Sequence, residues 1–260
     1  MKTMWAQLAI GDRVLARGRA NERYVARLAS VPEEVRAAQT LRFLVFNVEL
    51  NEGLERSFTT FRDADAFDEV CHHLIVEDRW TGEIVGTYRL QTGRMAAANH
   101  GFYSAQEFDL APFEPMRDRI IELGRACVHR GHRSLAVLGL LWNGIARYAR
   151  EFGGRYLIGC SSLSTQDFAA GATVYSDLCR RYLAESCWQV QPRPGWACPL
   201  DRLSNEPQKV PRLLSAYLSL GARICGAPAV DCEFKTIDFM TYLDLETLSP
   251  TVQARYFGEE

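Results

Sequence analysis

The spacing of apolar and polar residues divides this chain into alternating strands and helices. Residues 24–28 alternate apolar and charged positions and predict a first strand; residues 1–22 before it predict an irregular stretch or a short amphipathic helix. Ser30-Val31-Pro32-Glu33 reads as a helix start. Ser30 serves as cap, Pro32 lies in the first turn and Glu33 closes a capping box. The helix is predicted to run to about Val48. Val35, Gln39, Arg42 and Phe46 recur at four-residue spacing and share one stripe facing the body. Residues 50–67 sustain no period and predict a long charged loop leading into the acidic knot from Asp63 to Glu69. Loops of that length inside a compact domain are often functional. Residues 71–77 and 83–91, joined by Asp78-Arg79-Trp80-Thr81-Gly82, predict a β-hairpin, with a bulge or close backbone approach at Gly86.

Residues 92–115 are predicted irregular, with aromatics that cover the core or line a cavity. Residues 120–129 form a short apolar run broken by Glu122 and Arg125. A strand interior tolerates charge badly unless the charge is paired or used. A turn at Arg130-Gly131-His132-Arg133 leads to a helix starting at Ser134, which offers backbone N–H groups to an anion. Leu135, Leu138, Leu141, Trp142, Ile145 and Tyr148 fall at helical spacing, and Gly153-Gly154 ends that helix. Strands at 155–160 and 187–190, a helix at 166–183, a proline-rich linker at 192–211, a helix from Pro211 to Gly221 and a last strand at 232–243 complete the chain. The order gives an α+β chain with a central mixed sheet. The strand–helix–strand unit at 120–160 predicts a parallel pair inside it.

Composition narrows the class. The chain has 260 residues, 47% hydrophobic and 24% charged, enough for a large soluble core. A net charge of −2 gives no overall case for nucleic acid. The start is different: from Lys2 to Arg27, the basic residues Lys2, Arg13, Arg17, Arg19, Arg23 and Arg27 outnumber Asp12 and Glu22, and residues 1–22 are read as a basic N-terminal arm. It suits an acidic partner or an anionic membrane surface, and equally a solvated terminus. No apolar run approaches the roughly 20 residues needed to cross a bilayer. The eight cysteines form no C-x-x-C pair, which predicts a reduced cytoplasmic protein. His129 and His132 have no companion ligand cluster, so no metal site is predicted.

Four charged elements in order resemble a family: Arg42-x-x-x-Phe46, Asp65-x-x-Asp68, Gly86-x-x-Arg89-Leu90 and Glu122-x-x-Arg125. They are similar to the acyl-homoserine-lactone synthases, which have the GNAT acyltransferase fold. The tail Gly226-Ala227-Pro228-Ala229-Val230-Asp231-Cys232-Glu233-Phe234-Lys235-Thr236-Ile237-Asp238-Phe239 resembles the ornithine N-acyltransferases, which make lyso-ornithine lipid from 3-hydroxyacyl-acyl carrier protein. The signal synthases are shorter and usually carry a Trp after the Phe; here none falls between Phe46 and Trp80. The resemblance implies a GNAT core over 23–190 and a C-terminal extension over 191–260 packed on it. It implies a central sheet with a splayed parallel strand pair, flanked by helices. It also implies transfer of a (3-hydroxy)fatty acyl group from acyl carrier protein to an amino-acid α-amine, ornithine first, with no bound cofactor. A signal synthase, another N-acyl amino acid synthase and a non-catalytic acyl- or carrier-binding module are the alternatives.

Such a transfer needs a deprotonated amine, a stabilised carbonyl oxygen and alignment of the two. Glu122 is the candidate base, with Arg125 beside it. Arg42, Arg89 and Arg125 are expected to pair with Asp65, Asp68 and Glu122, either to bind the amino-acid head group beside Phe46 or to fix the loop. In the implied fold the acyl-pantetheine enters the splay, where N–H groups near Cys127 and Val128 meet it. The turn carrying Arg130, Gly131, Arg133 and Ser134 would take the single phosphodiester of a carrier-protein arm. Having one glycine, it favours that arm over coenzyme A. Arg130, Arg133, Arg147 and Arg150 offer a basic surface to an acidic carrier protein. The resemblance leaves peripheral contact with the inner membrane open.

Overall fold

A computed structural model describes residues 14–18 and 21–256. β1 (Val14–Gly18) and β2 (Asn21–Leu28) form an antiparallel hairpin. The sequence predicted a strand only at 24–28, behind an irregular or helical arm. The remainder of that arm, residues 1–13 and 19–20, lies outside the described residues. α1 (Pro32–Phe43) follows and widens into a π-helical turn, Leu44–Glu49. Ser30 does not cap α1. Glu34, one residue past the expected position, reaches back and accepts from the Ser30 N–H at 2.7 Å. The expected long loop holds one helical turn, α2 (Ser57–Thr60), and the 3-10 turn Ala66–Glu69, which Asp65 and Asp68 close as a capping box.

β3 (His72–Asp78) and β4 (Glu83–Thr92) make the expected hairpin, and the register slips by one residue beside Gly86. The region expected to be irregular contains α3 (Gly93–Ala98), a 3-10 turn Tyr103–Gln106, β5 (Phe108–Asp109) and a 3-10 stretch Ala111–Arg119. β6 (Ile120–Val128), α4 (Leu135–Phe152) and β7 (Tyr156–Leu163) form the expected parallel unit. Ser134 caps α4 by accepting from the Val137 N–H, and Gly153 ends it at φ +68°. α5 (Phe168–Tyr182) follows. Instead of a strand at 187–190 there is a 3-10 turn, Ser186–Trp188, then β8 (Gln191–Pro192), which pairs with β5. The chain ends with α6 (Arg212–Leu220), β9 (Arg223–Ile224), β10 (Ala229–Asp231), β11 (Thr236–Asp244) and α7 (Pro250–Tyr256).

The main sheet runs β1-β2-β3-β4-β6-β7-β11-β10, with β9 also on β11. Only β6 and β7 are parallel neighbours among these pairs. Ile121, Leu123, Ala126 and Val128 of β6 pack with Leu140, Leu141 and Ile145 of α4 on one face. Cys127 packs with Leu41 and Val45 on the other, under α1. β11 pairs with β7 from Ile237 to Asp244, so residues 191–260 supply strands to the same sheet. Among the described residues no helix is long and apolar enough to cross a membrane.

Candidate active site

Two strands that should lie side by side come apart. β6 pairs with β7 only through Ile120–Tyr156, Ile121–Leu157 and Glu122–Ile158. At the fork Gly159 lies so close to Leu123 that a Cβ there would stand 2.3 Å from the Leu123 carbonyl oxygen. Beyond it the strands diverge, and a cavity of about 760 Å³ opens through the sheet. Leu138, Leu141 and Trp142 of α4 and Leu213 and Tyr217 of α6 line one side, which is apolar. Phe46, Arg89, Glu122, Arg125 and Asp238 line the polar side.

Glu122 and Arg125 share that polar side because β6 is not regular. Residues three apart in an ordinary strand point to opposite faces. Here the register against β4 jumps from Gly124–Arg89 to Cys127–Thr87, and Arg125 sits in the left-handed region at φ +50°. The bulge reverses the alternation, and Leu123 and Ala126 end on the α4 face together. A non-glycine residue at positive φ is a strained position that the surroundings must hold.

Three arginines and three aspartates interlock beneath the cavity. Arg42 is 0% exposed, and its Nε meets Asp63 Oδ2 at 2.9 Å while Nη2 meets Asp68 Oδ2 at 2.5 Å. Arg89 Nη1 lies 2.6 Å from Asp65 Oδ1 and 3.1 Å from Asp68 Oδ1. Arg125 reaches Asp63 at 3.2 Å and Asp65 at 2.9 Å, and its guanidinium lies over the rings of Tyr103 and Phe234. Burial works against ionised Asp68, but the guanidiniums of Arg42 and Arg89 hold its carboxyl well below the usual range. Asp65 is lowered likewise by Arg89 and Arg125 against burial. With partners on both sides the network fixes the loop from Asp63 to Glu69 against β4 and β6.

Glu122 does not pair with an arginine, contrary to the expected arrangement. Asp63 takes the place assigned to it in the network. The Glu122 carboxylate instead accepts from the Tyr103 N–H at 2.7 Å, the Ser104 N–H at 2.8 Å and Gln91 Nε2 at 3.1 Å. Those N–H groups open the 3-10 turn Tyr103–Gln106, so the carboxylate also caps that turn. Burial pushes its carboxyl above the usual range, and the two N–H groups pull it part of the way back.

The remaining expected residues divide. Phe46 packs against Phe234, ring centres 6.4 Å apart. Cys127, Val128, Arg133 and Ser134 line the cavity, whereas Arg130 and Gly131 do not. The turn is also not an open anion cradle. The Gly131 N–H donates to His129 Nδ1 at 3.3 Å, and Arg133 is held by Glu49 at 2.6 Å and 2.8 Å. Burial pushes the Cys127 thiol up to about 12 and raises Cys160 well above its usual value, so neither is a thiolate nucleophile at neutral pH.

The chain that builds this gap is similar to known proteins. The acetyltransferase (GNAT) domain family matches residues 41–143. An L-ornithine Nα-acyltransferase of Brucella abortus (strain 2308) is 36% identical over 249 residues, spanning 90% of this chain and 88% of that protein. That of Agrobacterium fabrum is 34% identical over 248 residues, covering 90% and 85%. The chain belongs to the L-ornithine Nα-acyltransferase family. Its members and the GNAT domain make it an acyltransferase. Among solved structures, FeeM, an N-acyl amino acid synthase from uncultured soil microbes, superposes with a TM-score of 0.55 at 14% identity, covering 91% of this chain and 99% of that one. The acyl-homoserine-lactone synthase LasI gives 0.51 at 11% identity, covering 90% and 95%. Both have the family's fold.

Proposed function

We propose that this acyltransferase moves a (3-hydroxy)fatty acyl group from the thioester of acyl carrier protein to the α-amine of L-ornithine, giving lyso-ornithine lipid in the cytoplasm. The observation that carries it is the cavity at the β6–β7 fork, apolar toward α4 and α6 and polar at Glu122. The acyl chain lies among Leu138, Leu141, Trp142 and Leu213. The thioester sits at the fork, where β6 has no β7 partner past Glu122 and its free backbone groups near Cys127 and Val128 can face the carbonyl oxygen. Arg89, which lines the polar side and whose Nη2 has no hydrogen-bond partner, receives the α-carboxylate, with Arg125 held beside it by Asp63 and Asp65. Buried Arg42 holds the aspartate loop.

Glu122 takes a proton from the α-ammonium, directly or through one water. The amine nitrogen then attacks the thioester carbon, the C–N bond forms and the C–S bond breaks. The departing thiolate takes a proton back from Glu122, and the freed carboxylate accepts the second proton of the attacking nitrogen and passes it to water. No residue of the chain is acylated. The identity and coverage of the two relatives support ornithine as the amine. Arg130 is exposed and lies two residues after cavity-lining Val128, which supports an acidic carrier protein as the donor.

The test is reconstitution with purified 3-hydroxyacyl-acyl carrier protein or the matching coenzyme A thioester, each with L-ornithine. Mass spectrometry should find Nα-(3-hydroxyacyl)ornithine, formed faster from the carrier protein. Equal rates from both donors would remove the carrier-protein assignment. Acylation of another amine with ornithine untouched would remove ornithine.

A further inference from the structure

The carboxylates of the ion network all meet guanidiniums, and Glu122 meets backbone N–H groups. A second acidic set on the same face of the sheet is paired with no guanidinium. Asp238 of β11 stands opposite Ser162 of β7, in line with Met240 and Tyr242, which pack with Ile120 and Ile158 on the Glu122 side. Glu107 follows the turn that Glu122 caps, and Asp231 ends β10. All three are buried. Among the described residues, none of them is in an ion pair. Arg125 is in electrostatic range of Glu107 and Asp231, but it is committed to Asp63 and Asp65.

We propose that Asp238, with Glu107 and Asp231, forms a subsite for the side-chain ammonium of a diamino-acid acceptor, and that this subsite selects the amine. The proposal rests on the acyl-transfer reading above and assigns residues to the choice of acceptor.

Two orphaned polar atoms mark where the ligand lies. Asp238 is 4% exposed and Thr236 is 1% exposed, and both line the cavity. Ser162, Thr236 and Glu107 lie beside Asp238, yet no donor is placed in hydrogen-bonding geometry with its Oδ1. Thr236 Oγ1 lies beside Asp238 and is likewise in hydrogen-bonding geometry with no group. An ammonium has three N–H donors and no acceptor, which suits oxygens from Asp238, Glu107 and Thr236. Asp231 already accepts from the Glu233 and Phe234 N–H groups and contributes charge.

Without a cation the set cannot be fully ionised. Burial, with Asp231 adding to it, raises the Asp238 carboxyl to about 6, and burial with Asp238 raises Glu107 well above the usual range. Glu52, which also lines the cavity, is raised by burial and by Asp238. A bound ammonium would let the pair ionise. Cys160 stands beside Glu107 and Asp238, the three ligand atoms within 4.8 Å of one another, so a divalent cation is the competing occupant. Burial and the adjacent carboxylates keep that thiol protonated and a poor ligand. The cavity that Glu122 lines, where the α-amine would react, also reaches Asp231, Thr236 and Asp238, and Glu107, off its wall, stands within 4.8 Å of Asp238.

The experiment compares L-ornithine with L-norvaline, which has the same carbon skeleton and no side-chain ammonium. Calorimetry on the whole protein without acyl donor reads binding; initial rates with acyl thioester read kcat/KM. Wild type should favour ornithine by at least about 30-fold in both readouts. In Asp238→Asn the preference should collapse to within about threefold, through a raised KM for ornithine, and Glu107→Gln should lower it in part. Neither variant should melt below wild type, because each relieves a crowded set of buried carboxyl groups that no cation offsets. Absence of preference in wild type, or full preference in both variants, would overturn the proposal. So would magnesium or zinc binding that is lost in Asp238→Asn and excludes ornithine. If ornithine binds selectively but no amino acid is acylated, the acyl-transfer reading fails and the subsite stands.

Discussion

At the scale of residues, Glu122 does two things that a substitution can separate. It caps the turn Tyr103–Gln106 and it faces the cavity. Glu122→Gln keeps the shape and removes the base. Turnover should fall about 10²- to 10⁴-fold, the usual worth of a positioned acid–base group. One backbone N–H then faces an amide NH2, at about 1–3 kcal/mol, offset by removal of a buried charge. The variant should therefore stay folded. Wild-type kcat/KM should rise with pH along a limb lying above the ordinary glutamate range, since burial raises this carboxyl. In Glu122→Gln that limb should vanish; a rate reduced at every pH with the limb intact would leave Glu122 only its capping role. Charges inside apolar runs made Glu122, Arg125 and Arg89 legible from the sequence. Asp238, between Ile237 and Phe239, carried the same signal inside the last predicted strand. Glu107 lay in a stretch with no period, where burial leaves no trace. Nothing in E-x-x-R spacing shows that Glu122 turns to Tyr103 and Ser104 while Asp63 takes the arginines.

Elements decide whether the fork opens. The parallel unit was readable because apolar runs at 120–129 and 155–160 flank an amphipathic helix with a cap at each end. The bulge at Arg125 was not, since bulges depend on the neighbouring strand's register. Gly159 and Gly139 give a paired test. At Gly159 a Cβ would press into the Leu123 backbone, so Gly159→Ala must push β6 from β7 and shift Glu122. Unfolding free energy should drop by about 1–3 kcal/mol, as overpacking does, and acyl transfer should fall with it. At Gly139, inside α4, nothing lies within 4 Å of a Cβ. Gly139→Ala should stabilise by about 0.5–1 kcal/mol through helix propensity and leave transfer unchanged. Chemical denaturation beside initial rates checks both signs. A Gly159→Ala protein as stable and active as wild type would mean that the strands are not held this close.

Across the whole molecule, buried ionisable groups pull stability in opposite directions as pH changes. His72 packs against Tyr148 and Phe152, and His73 lies behind Asp68. Burial lowers both to about 4 from an ordinary 6.5. The unfolded chain then binds protons that the native state refuses, so stability falls as pH drops from about 6.5 toward 4, on the order of 3 kcal/mol per histidine at the limit. Glu107 and Asp238 have the opposite sign. Their carboxyls are raised, the native state keeps protons that the unfolded chain has released, and stability falls as pH rises from about 4 through the folded titration. Asp68 is held low, so its contribution is present above about 4 and is lost only in stronger acid. Thermal melts from about pH 7 to about pH 4.5 should separate these contributions. His73→Gln, which keeps a donor for the Asp68 carbonyl, should lose less Tm on acidification than wild type. Asp238→Asn should exceed wild type most at pH 7, and the gap should close toward pH 4.5. Three parallel curves would show that neither group titrates in the fold as its burial requires; curves that diverge in these two directions would place the histidines and the acidic subsite on opposite sides of the same stability balance.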